Sequence, residues 1–183
     1  MKEKNGVINH MKITIRDTKK RVGPGNNFFK KENVKLGKEI IMKIDKINGE
    51  WTCAEIMLPR LGYGTYSCEL EKPMFLPKGI VFGFFLYRND QNEVDIEFTR
   101  WNKFFSKNAQ FVIQDGPKQR FWNFRRHNKL KIEWYLSWVK FTLNGKTWKI
   151  WGNFDLGTLH INLWIYGKPK KTQVKIRNLK WTK

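Results

Sequence analysis

Apolar and polar residues alternate along most of this 183-residue chain. Alternation sends successive side chains to opposite faces of a strand, so the pattern is typical of half-buried β-strands. No window of helical length carries apolar residues at spacings of three and four. The sequence therefore predicts a nearly all-β fold, and its short, regular turn spacing favours a sandwich or jelly roll over a parallel sheet.

The alternation predicts strands that begin close to the N-terminus and continue to the end of the chain. The Asn144-Gly145 pair supplies the positive φ angles that a tight two-residue hairpin turn needs. Residues 1–11 are expected to be a flexible tail, and residues 12–183 to form one domain. The predicted strands are 12–16, 39–44, 53–58, 65–71, 80–87, 93–98, 108–114, 129–134, 138–143, 146–151, 159–165 and 173–180.

The strand at 93–98 carries the main candidate for chemistry. Glu93, Asp95 and Glu97 share one face, and the apolar residues between them share the other. Crowded carboxylates disfavour their own ionised forms, and a partly enclosed site moves their pKa values apart. Four residues of strand separate the two glutamate Cα atoms by about 13 Å, and side chains leaning inward can close much of that gap. Retaining glycoside hydrolysis requires carboxyl groups about 5 to 5.5 Å apart and inverting hydrolysis about 6.5 to 9.5 Å, so the spacing permits retention and leaves inversion open.

Two other interpretations of this acidic row remain open. One is the solvated polar face of an ordinary strand, and the other is a divalent metal site made of three carboxylates. The scarcity of acidic residues weighs against a merely solvated strand face, because the chain has 16 acidic residues against 36 basic ones and a formal net charge of +20. Aromatic residues make up 15% of the chain, and such rings pack in cores or stack on sugars and nucleobases.

The cysteines and the apolar segments limit the classes of protein to which the chain can belong. Cys53 and Cys68 are the only cysteines and form no paired metal-binding pattern, so reduced core thiols are favoured over a single bridge. The basic N-terminal residues precede no apolar stretch, and the longest apolar run, 79–87, is about half a membrane span. We expect a soluble protein with no signal peptide and no membrane partner.

Further segments flank the acidic strand in a recognisable order. Residues 51–55 read Trp-Thr-Cys-Ala-Glu, 62–66 read Gly-Tyr-Gly-Thr-Tyr, and the run at 79–87 follows. Downstream come Glu133-Trp134 and then 162–164, Asn-Leu-Trp. Together with Glu-x-Asp-x-Glu at 93–97, they make the chain resemble glycoside hydrolase family 16 over roughly residues 25–182. The resemblance implies a concanavalin-like β-jelly roll of two antiparallel sheets with a concave cleft for a polysaccharide, and no cofactor.

The resemblance also implies roles for individual residues. Glu93 would be the nucleophile, Glu97 the general acid/base, and Asp95 a hydrogen-bonding partner that tunes the nucleophile. The implied activity is retaining, endo-acting hydrolysis of a β-linked glucan or galactan by double displacement. The candidate substrate-binding residues, for which ordinary strand packing is the alternative, are Glu55, Phe85, Tyr87, Trp101, Asn162 and Trp164.

The chain departs from the family pattern at three places. Met57 stands where many lichenan-cleaving relatives have Arg, and Thr99-Arg100-Trp101 replaces Leu-Gly after the motif. Specificity for mixed-linkage glucan is therefore not expected. Residues 99–101 and 108–114 resemble a bacterial branch of the family with mostly unassigned substrates. Asn178 stands where calcium-binding relatives have Asp, so no metal is predicted.

The basic charge leaves the nature of the partner open. One group of basic side chains either rims the cleft, which would favour an anionic polysaccharide, or covers a solvated convex face. The group consists of Arg88, Arg100, Arg125, Arg126 and residues 168–171. The alternative functions are a non-catalytic glycan-binding module and a polyanion- or nucleic-acid-binding protein. No recognisable nucleic-acid motif is present. We expect a monomer, and the sequence does not assign a compartment, although secretion would fit the family resemblance.

Overall fold

The computed structural model describes residues 5–8, 11–71, 75–101, 107–114, 116–155 and 157–183. These residues form β-strands and one single-turn 3-10 helix, Lys31–Asn33. The strands are β1 Asn5–Ile8, β2 Met11–Ile15, β3 Phe28–Phe29, β4 Val34–Lys35, β5 Ile40–Ile47, β6 Glu50–Met57, β7 Gly64–Glu71, β8 Ile80–Asn89, β9 Asn92–Phe98, β10 Ala109–Ile113, β11 Lys118–Phe121, β12 His127–Tyr135, β13 Trp138–Leu143, β14 Lys146–Trp151, β15 Thr158–Ile165 and β16 Thr172–Thr182.

The strands form two facing layers. The first runs in the order β11-β10-β9-β8-β15-β6, with β2 also pairing to β6, and the second runs β5-β16-β7-β12-β13-β14. Strands β5 and β6 pair only next to their shared turn and so link the layers. Phe111 of β10 stacks on Phe141 of β13 with ring centroids 5.3 Å apart, which places these layers face to face. The predicted β-jelly roll sandwich of antiparallel sheets is confirmed.

The core lies between the layers because each strand buries alternate side chains. In β7, for example, the burial pattern alternates strictly, and Tyr66, Cys68 and Leu70 point inward. Both cysteines are buried free thiols, as expected. Burial raises the pKa of the Cys53 thiol to about 12, so this thiol stays protonated at neutral pH.

The predicted strands are all present, with ends that differ by a few residues. Asn144 and Gly145 have φ angles of 53° and 86°, which confirms the hairpin turn between β13 and β14. The sequence missed β3 and β4, which are two residues long and show no periodicity, and β11, whose sequence Lys-Gln-Arg-Phe is largely polar. Residues 5–8 pair with β2 inside the segment predicted as a tail, and the division into tail and domain stays a prediction.

A cluster of asparagines joins the hairpin turn to the cleft sheet. Asn123 is anchored to Asn108 by two hydrogen bonds, its backbone carbonyl accepting at 2.7 Å and its N–H donating at 2.8 Å. Asn144 Nδ2 donates to Asn128 Oδ1 at 3.0 Å and to Asn123 Oδ1 at 3.1 Å. Because Asn108 precedes β10 and Asn144 follows β13, these side chains tie the two layers together at one end. Among the described residues, no helix has the length and apolar character to cross a membrane.

Candidate active site

A cleft of about 880 Å³ runs across the first layer from β2 to β11. Strand β9 crosses its floor and presents Glu93, Asp95 and Glu97 to it. The strand register determines which residues lie beside these carboxyls. On β8, Tyr87 is opposite Glu93, Phe85 is opposite Asp95, and Gly83 is opposite Glu97. On the other side, Gln110 of β10 is opposite Glu97 and Val112 is opposite Asp95.

Glu97 is held by a chain of side chains from neighbouring strands. Gln110 Nε2 donates a hydrogen bond to Glu97 Oε2. Gln110 Oε1 in turn accepts from Arg120 Nε at 2.9 Å and from Trp101 Nε1 at 3.4 Å, which fixes the amide so that its NH₂ group faces Glu97. Burial raises the pKa of Glu97 to about 7, with the charge of Glu93 adding to the effect and the Gln110 hydrogen bond opposing it. At neutral pH this carboxyl can therefore both donate and accept a proton.

The other two carboxyls form a hydrogen-bonded pair. Burial, followed by the charges of Glu93 and Glu97, raises the pKa of Asp95 well above its usual range, which favours the protonated form of this carboxyl. Burial also raises the pKa of Glu93, while the hydrogen bond with Asp95 lowers it. The arrangement therefore keeps Asp95 as a neutral donor and concentrates negative charge on Glu93.

Glu55 lies at the β6 side of the cleft and is 2% exposed. Its Oε2 lies 2.7 Å from Arg16 Nη1, and its Oε1 lies 2.9 Å from His160 Nδ1. The other imidazole nitrogen, Nε2, is 3.0 Å from Thr158 Oγ1. Both carboxylate oxygens of Glu55 thus have protein partners, and Arg16 is the charged group that this end of the cleft presents.

The aromatic side chains predicted on β8 line the cleft together with His160. The Phe85 and Tyr87 rings lie 5.3 Å and 5.5 Å from the His160 ring. Tyr87 Oη donates to Asp90 Oδ1 at 2.8 Å, and this hydrogen bond is the main reason that the pKa of Tyr87 is raised. These rings form an apolar wall above Glu93.

Asn162 offers an acceptor without a protein partner. The side-chain Oδ1 of this residue, which is 3% exposed, lines the cleft and has no hydrogen-bond partner within the described part of the chain. It faces Gly83, where a Cβ atom would come within 2.7 Å of it. A buried amide oxygen in this state is poised to accept a hydrogen bond from a ligand hydroxyl.

Trp101 and Trp164 form a second aromatic group at the cleft. Their ring centroids are 6.4 Å apart, and Tyr166, which the sequence did not single out, packs edge-on to Trp101 at 4.9 Å. Trp101 has a φ of 43°, the left-handed region that non-glycine residues seldom occupy. All six candidate binding residues therefore border one cleft with the carboxyls.

The structure shows which cations line the cleft, a point that the sequence left open. The cleft is lined by Arg16, Lys118 and Arg120, and by none of the other described lysines or arginines. Two of the basic residues considered for the rim lie elsewhere: Arg88 pairs with Asp155, and Arg125 borders a separate groove on the second layer. Strand β11 brings Lys118 and Arg120 close to Glu97, and both cations lower the pKa of that carboxyl.

Sequence inspection missed several residues of this site. Gln110 lies in the predicted strand 108–114, but its contact with Glu97 depends on the β9–β10 register. Arg16 and His160 are distant from the motif along the chain, so only the fold brings them to Glu55. The described residues contain no group of three or more His, Cys, Asp or Glu side chains arranged to hold a metal ion.

Comparison with solved structures identifies the class of fold. No protein-family model matches the sequence, and no curated protein does. The chain is similar to a β-glucanase of Bacillus licheniformis, with a TM-score of 0.76 at 18% identity over 97% of this chain and 94% of that one. A glycoside hydrolase family 16 protein from Mycobacterium smegmatis gives 0.67 at 14% identity over 90% and 91%. The chain thus has the concanavalin-like fold of family 16 glycoside hydrolases.

A third neighbour is an immunostimulatory antigen and pseudo β-1,3-glucanase of Mycobacterium tuberculosis. It gives a TM-score of 0.69 at 12% identity over 90% of this chain and 88% of that one. The same fold therefore occurs in proteins described as glucanases and in one described as a pseudo-glucanase.

Proposed function

We propose that this protein is a retaining, endo-acting glycosidase that hydrolyses a β-linked glucan. The observation that carries the proposal is the set of three carboxyls on β9, in which Glu97 has a pKa of about 7 and Asp95 is a neutral hydrogen-bonding partner of Glu93. The β-glucanase of similar fold supports the substrate class. The cleft extends to both sides of β9, which fits binding of an internal stretch of polymer.

Glu97 serves as the general acid/base. It first donates its proton to the glycosidic oxygen as the C–O bond breaks, and its carboxylate then removes a proton from the water that attacks the intermediate. A pKa near the working pH makes both states accessible. Gln110 holds the carboxyl in place through both steps by donating to Oε2.

Glu93 serves as the nucleophile. Its carboxylate attacks the anomeric carbon, the leaving group departs with the proton from Glu97, and a covalent glycosyl-enzyme forms on Glu93. Water then attacks the anomeric carbon and releases Glu93, so configuration is retained. Asp95 is a positioning residue, since its hydrogen bond lowers the pKa of Glu93 and orients one of its oxygens.

A fluorinated mechanism-based glycoside and a reducing-end assay test this proposal. Incubation with a 2-deoxy-2-fluoro glucoside of a short β-glucan should label Glu93, as located by peptide mass spectrometry. The purified protein should release reducing ends from soluble β-glucans, and Glu93→Ala should abolish release. Glu69→Ala, a carboxylate deletion on β7 of the other layer, is the matched control. Hydrolysis that survives Glu93→Ala would overturn the assignment.

A non-catalytic glycan-binding module is the second candidate. The observation that favours it is the state of Glu55, whose two oxygens are both bound by protein side chains instead of facing a ligand freely. The similarity in fold to a pseudo β-1,3-glucanase also fits. In that case the wild type would bind β-glucan without releasing reducing ends, and Glu93→Ala would bind equally well.

A further inference from the structure

Two cations of strand β11 stand at one end of the cleft. Lys118 and Arg120 both line it, while the side chain of Gln119 between them alternates to the other face. The register places Arg120 opposite Gln110 and Lys118 opposite Val112. Directly paired residues share a face, so both cations lie on the same face as the carboxyls of β9, with β10 between them.

Neither cation has a carboxylate as a direct partner within the described part of the chain. Lys118 and Arg120 are both exposed, and neither takes part in any ion pair there. The other cation of the cleft, Arg16, is neutralised by its ion pair with Glu55. The positive charge of the cleft is therefore concentrated at its β11 end, and a cleft lined by charge of one sign attracts ligands of the opposite sign.

Arg120 is also held in a fixed orientation. Its Nε donates to Gln110 Oε1 at 2.9 Å, and the same amide donates to Glu97. Among the described residues, the two Nη nitrogens of Arg120 have no hydrogen-bond acceptor. A guanidinium fixed at Nε presents its Nη nitrogens as a planar pair of donors, which is the geometry that binds an oxyanion through two oxygens.

The cations lie beside the place that a sugar next to the scissile bond would occupy. Neighbouring strands are about 4.8 Å apart, so β11 lies about 10 Å from β9. In the proposed function Glu97 acts at the glycosidic oxygen, so the sugar on this side of that bond would lie over Gln110 and Val112 of β10. Val112 is buried and apolar, so a charged substituent on this sugar would find its partners in Lys118 and Arg120.

An effect on Glu97 alone does not explain these two cations. Both lower the pKa of Glu97, but burial and the Gln110 hydrogen bond have larger effects on it. Direct partners of a buried carboxylate are themselves drawn toward it, as Arg16 is toward Glu55. Lys118 and Arg120 instead remain exposed to the space that the substrate would fill.

We propose that the sugar bound on the β11 side of Glu97 carries an anionic group, a carboxylate or a sulphate ester, and that Lys118 and Arg120 bind this group. The inference rests on the proposed function and narrows its substrate to an acidic β-linked polysaccharide. Lys118 and Arg120 are then specificity-determining residues, because they contact the substituent and not the reacting atoms.

Binding of three soluble β-1,3-glucan derivatives tests this inference separately from catalysis. One derivative is hydroxyethylated and neutral, one is carboxymethylated, and one is sulphated. All proteins carry Glu93→Gln, so that the polymers stay intact. At about 0.15 M salt, at least one anionic derivative should bind more tightly than the neutral one, and the tighter of the two identifies the group as carboxylate or sulphate.

Substitutions on β11 should remove this preference. Lys118→Met should lower the ratio of anionic to neutral affinity about fivefold, and Lys118→Met/Arg120→Met should lower it about tenfold or more. Lys118→Arg keeps the charge and should retain most of the preference. Because Lys118 is exposed, its variants test the inference even if loss of Arg120 disturbs the Gln110 amide.

Lys129→Met/Lys180→Met is the matched control for overall charge. Both lysines border the groove on the second layer, and neither forms an ion pair within the described residues. The variant removes the same charge from a chain of net charge +20, so it should leave the affinity ratio nearly unchanged if the preference is set in the cleft. An equal loss in both double variants would show that overall charge sets the preference, which overturns the inference.

Hydrolysis by the protein with Glu93 intact separates this inference from the proposed function. Release of reducing ends from none of the polymers, together with an anionic preference that depends on Lys118, would count against the proposed function alone. Equal affinity for the three derivatives, or no binding of either anionic one, overturns the inference and leaves hydrolysis of a neutral β-glucan standing. A Lys118→Met variant that moves the kcat/KM profile along the pH axis and keeps the affinity ratio also overturns it, since Lys118 would then act only on Glu97.

Discussion

Arg16 Nη1 lies 2.7 Å from Glu55 Oε2, and this ion pair places a cation beside a carboxylate that is buried in the cleft. Strand β2 pairs with β6 so that Thr14 is opposite Met57, and the Arg16 N–H donates to the Glu55 carbonyl at 3.0 Å. The arginine therefore reaches the buried carboxylate from the neighbouring strand.

Removal of this arginine should destabilise the protein. Arg16→Met leaves the buried Glu55 with His160 alone, and an uncompensated buried charge costs about 3 kcal/mol. Urea unfolding measures the loss. Arg16→Met/Met57→Arg should recover at least half of it, because the cation returns from β6. The control is Arg21→Met, whose ion pair with Glu50 is exposed and should matter by less than about 1 kcal/mol.

The activity should decline as pH rises through about 7. The acid form of Glu97 is required for the first step, and burial sets its pKa at about 7. Gln110→Leu removes a hydrogen bond that lowers this pKa, so the basic limb of the kcat/KM profile should move to higher pH. Gln114→Leu, also at the cleft, should leave the limb in place. A purely structural role of Gln110 would lower kcat/KM at every pH without moving the limb.

The same carboxyl should reduce the stability of the fold at alkaline pH. A group whose folded pKa is raised from 4.5 to about 7 favours the folded state when protonated, and this contribution is lost as pH rises between these values. Glu97→Gln should therefore increase the free energy of unfolding above pH 7 by about 1 to 3 kcal/mol relative to the wild type. Near pH 4 the two proteins should unfold at similar denaturant concentrations. A difference that does not vary with pH would contradict this explanation.

A single added methyl group should impair the cleft. The Cβ atom of Gly83→Ala would lie 2.7 Å from Asn162 Oδ1 and 3.3 Å from Phe85 Cδ1, so the Asn162 side chain must move. We expect kcat/KM for a β-glucan to fall about tenfold or more. Gly37→Ala is the control, since its Cβ would meet nothing closer than 3.8 Å. Equal activity of the two variants would show that the Asn162 amide does not contribute to substrate binding.

The fold could be predicted from the sequence because strand formation produces a local pattern of alternating apolar and polar residues. The alternation in β7, β9 and β13 follows from one buried face per strand, and Asn144-Gly145 follows from the φ angles of a tight turn. Strands β3 and β4 could not be predicted, because two residues carry no period.

The site could be predicted from the sequence only for the residues that lie on one strand. Glu93, Asp95 and Glu97 are local, since alternation alone places them together. The partners of these carboxyls come from pairing between distant segments, as with Gln110 beside Glu97 and His160 beside Glu55. The sequence left open whether the basic residues rim the cleft, because abundance along the chain does not determine which strand edge a side chain occupies.

The asparagine cluster at the hairpin has a chemical consequence over time. Asn-Gly is the dipeptide most open to succinimide formation, because glycine leaves the following N–H unhindered. Deamidation of Asn144 would turn its Nδ2 donor into an oxygen facing the acceptor oxygens of Asn123 and Asn128. In the folded protein those same hydrogen bonds restrain the amide from reaching the attacking nitrogen. The turn that closes the hairpin is therefore also a site of slow chemical change, and loss of ammonia there would remove two of the hydrogen bonds that tie the end of the cleft sheet to the layer behind it.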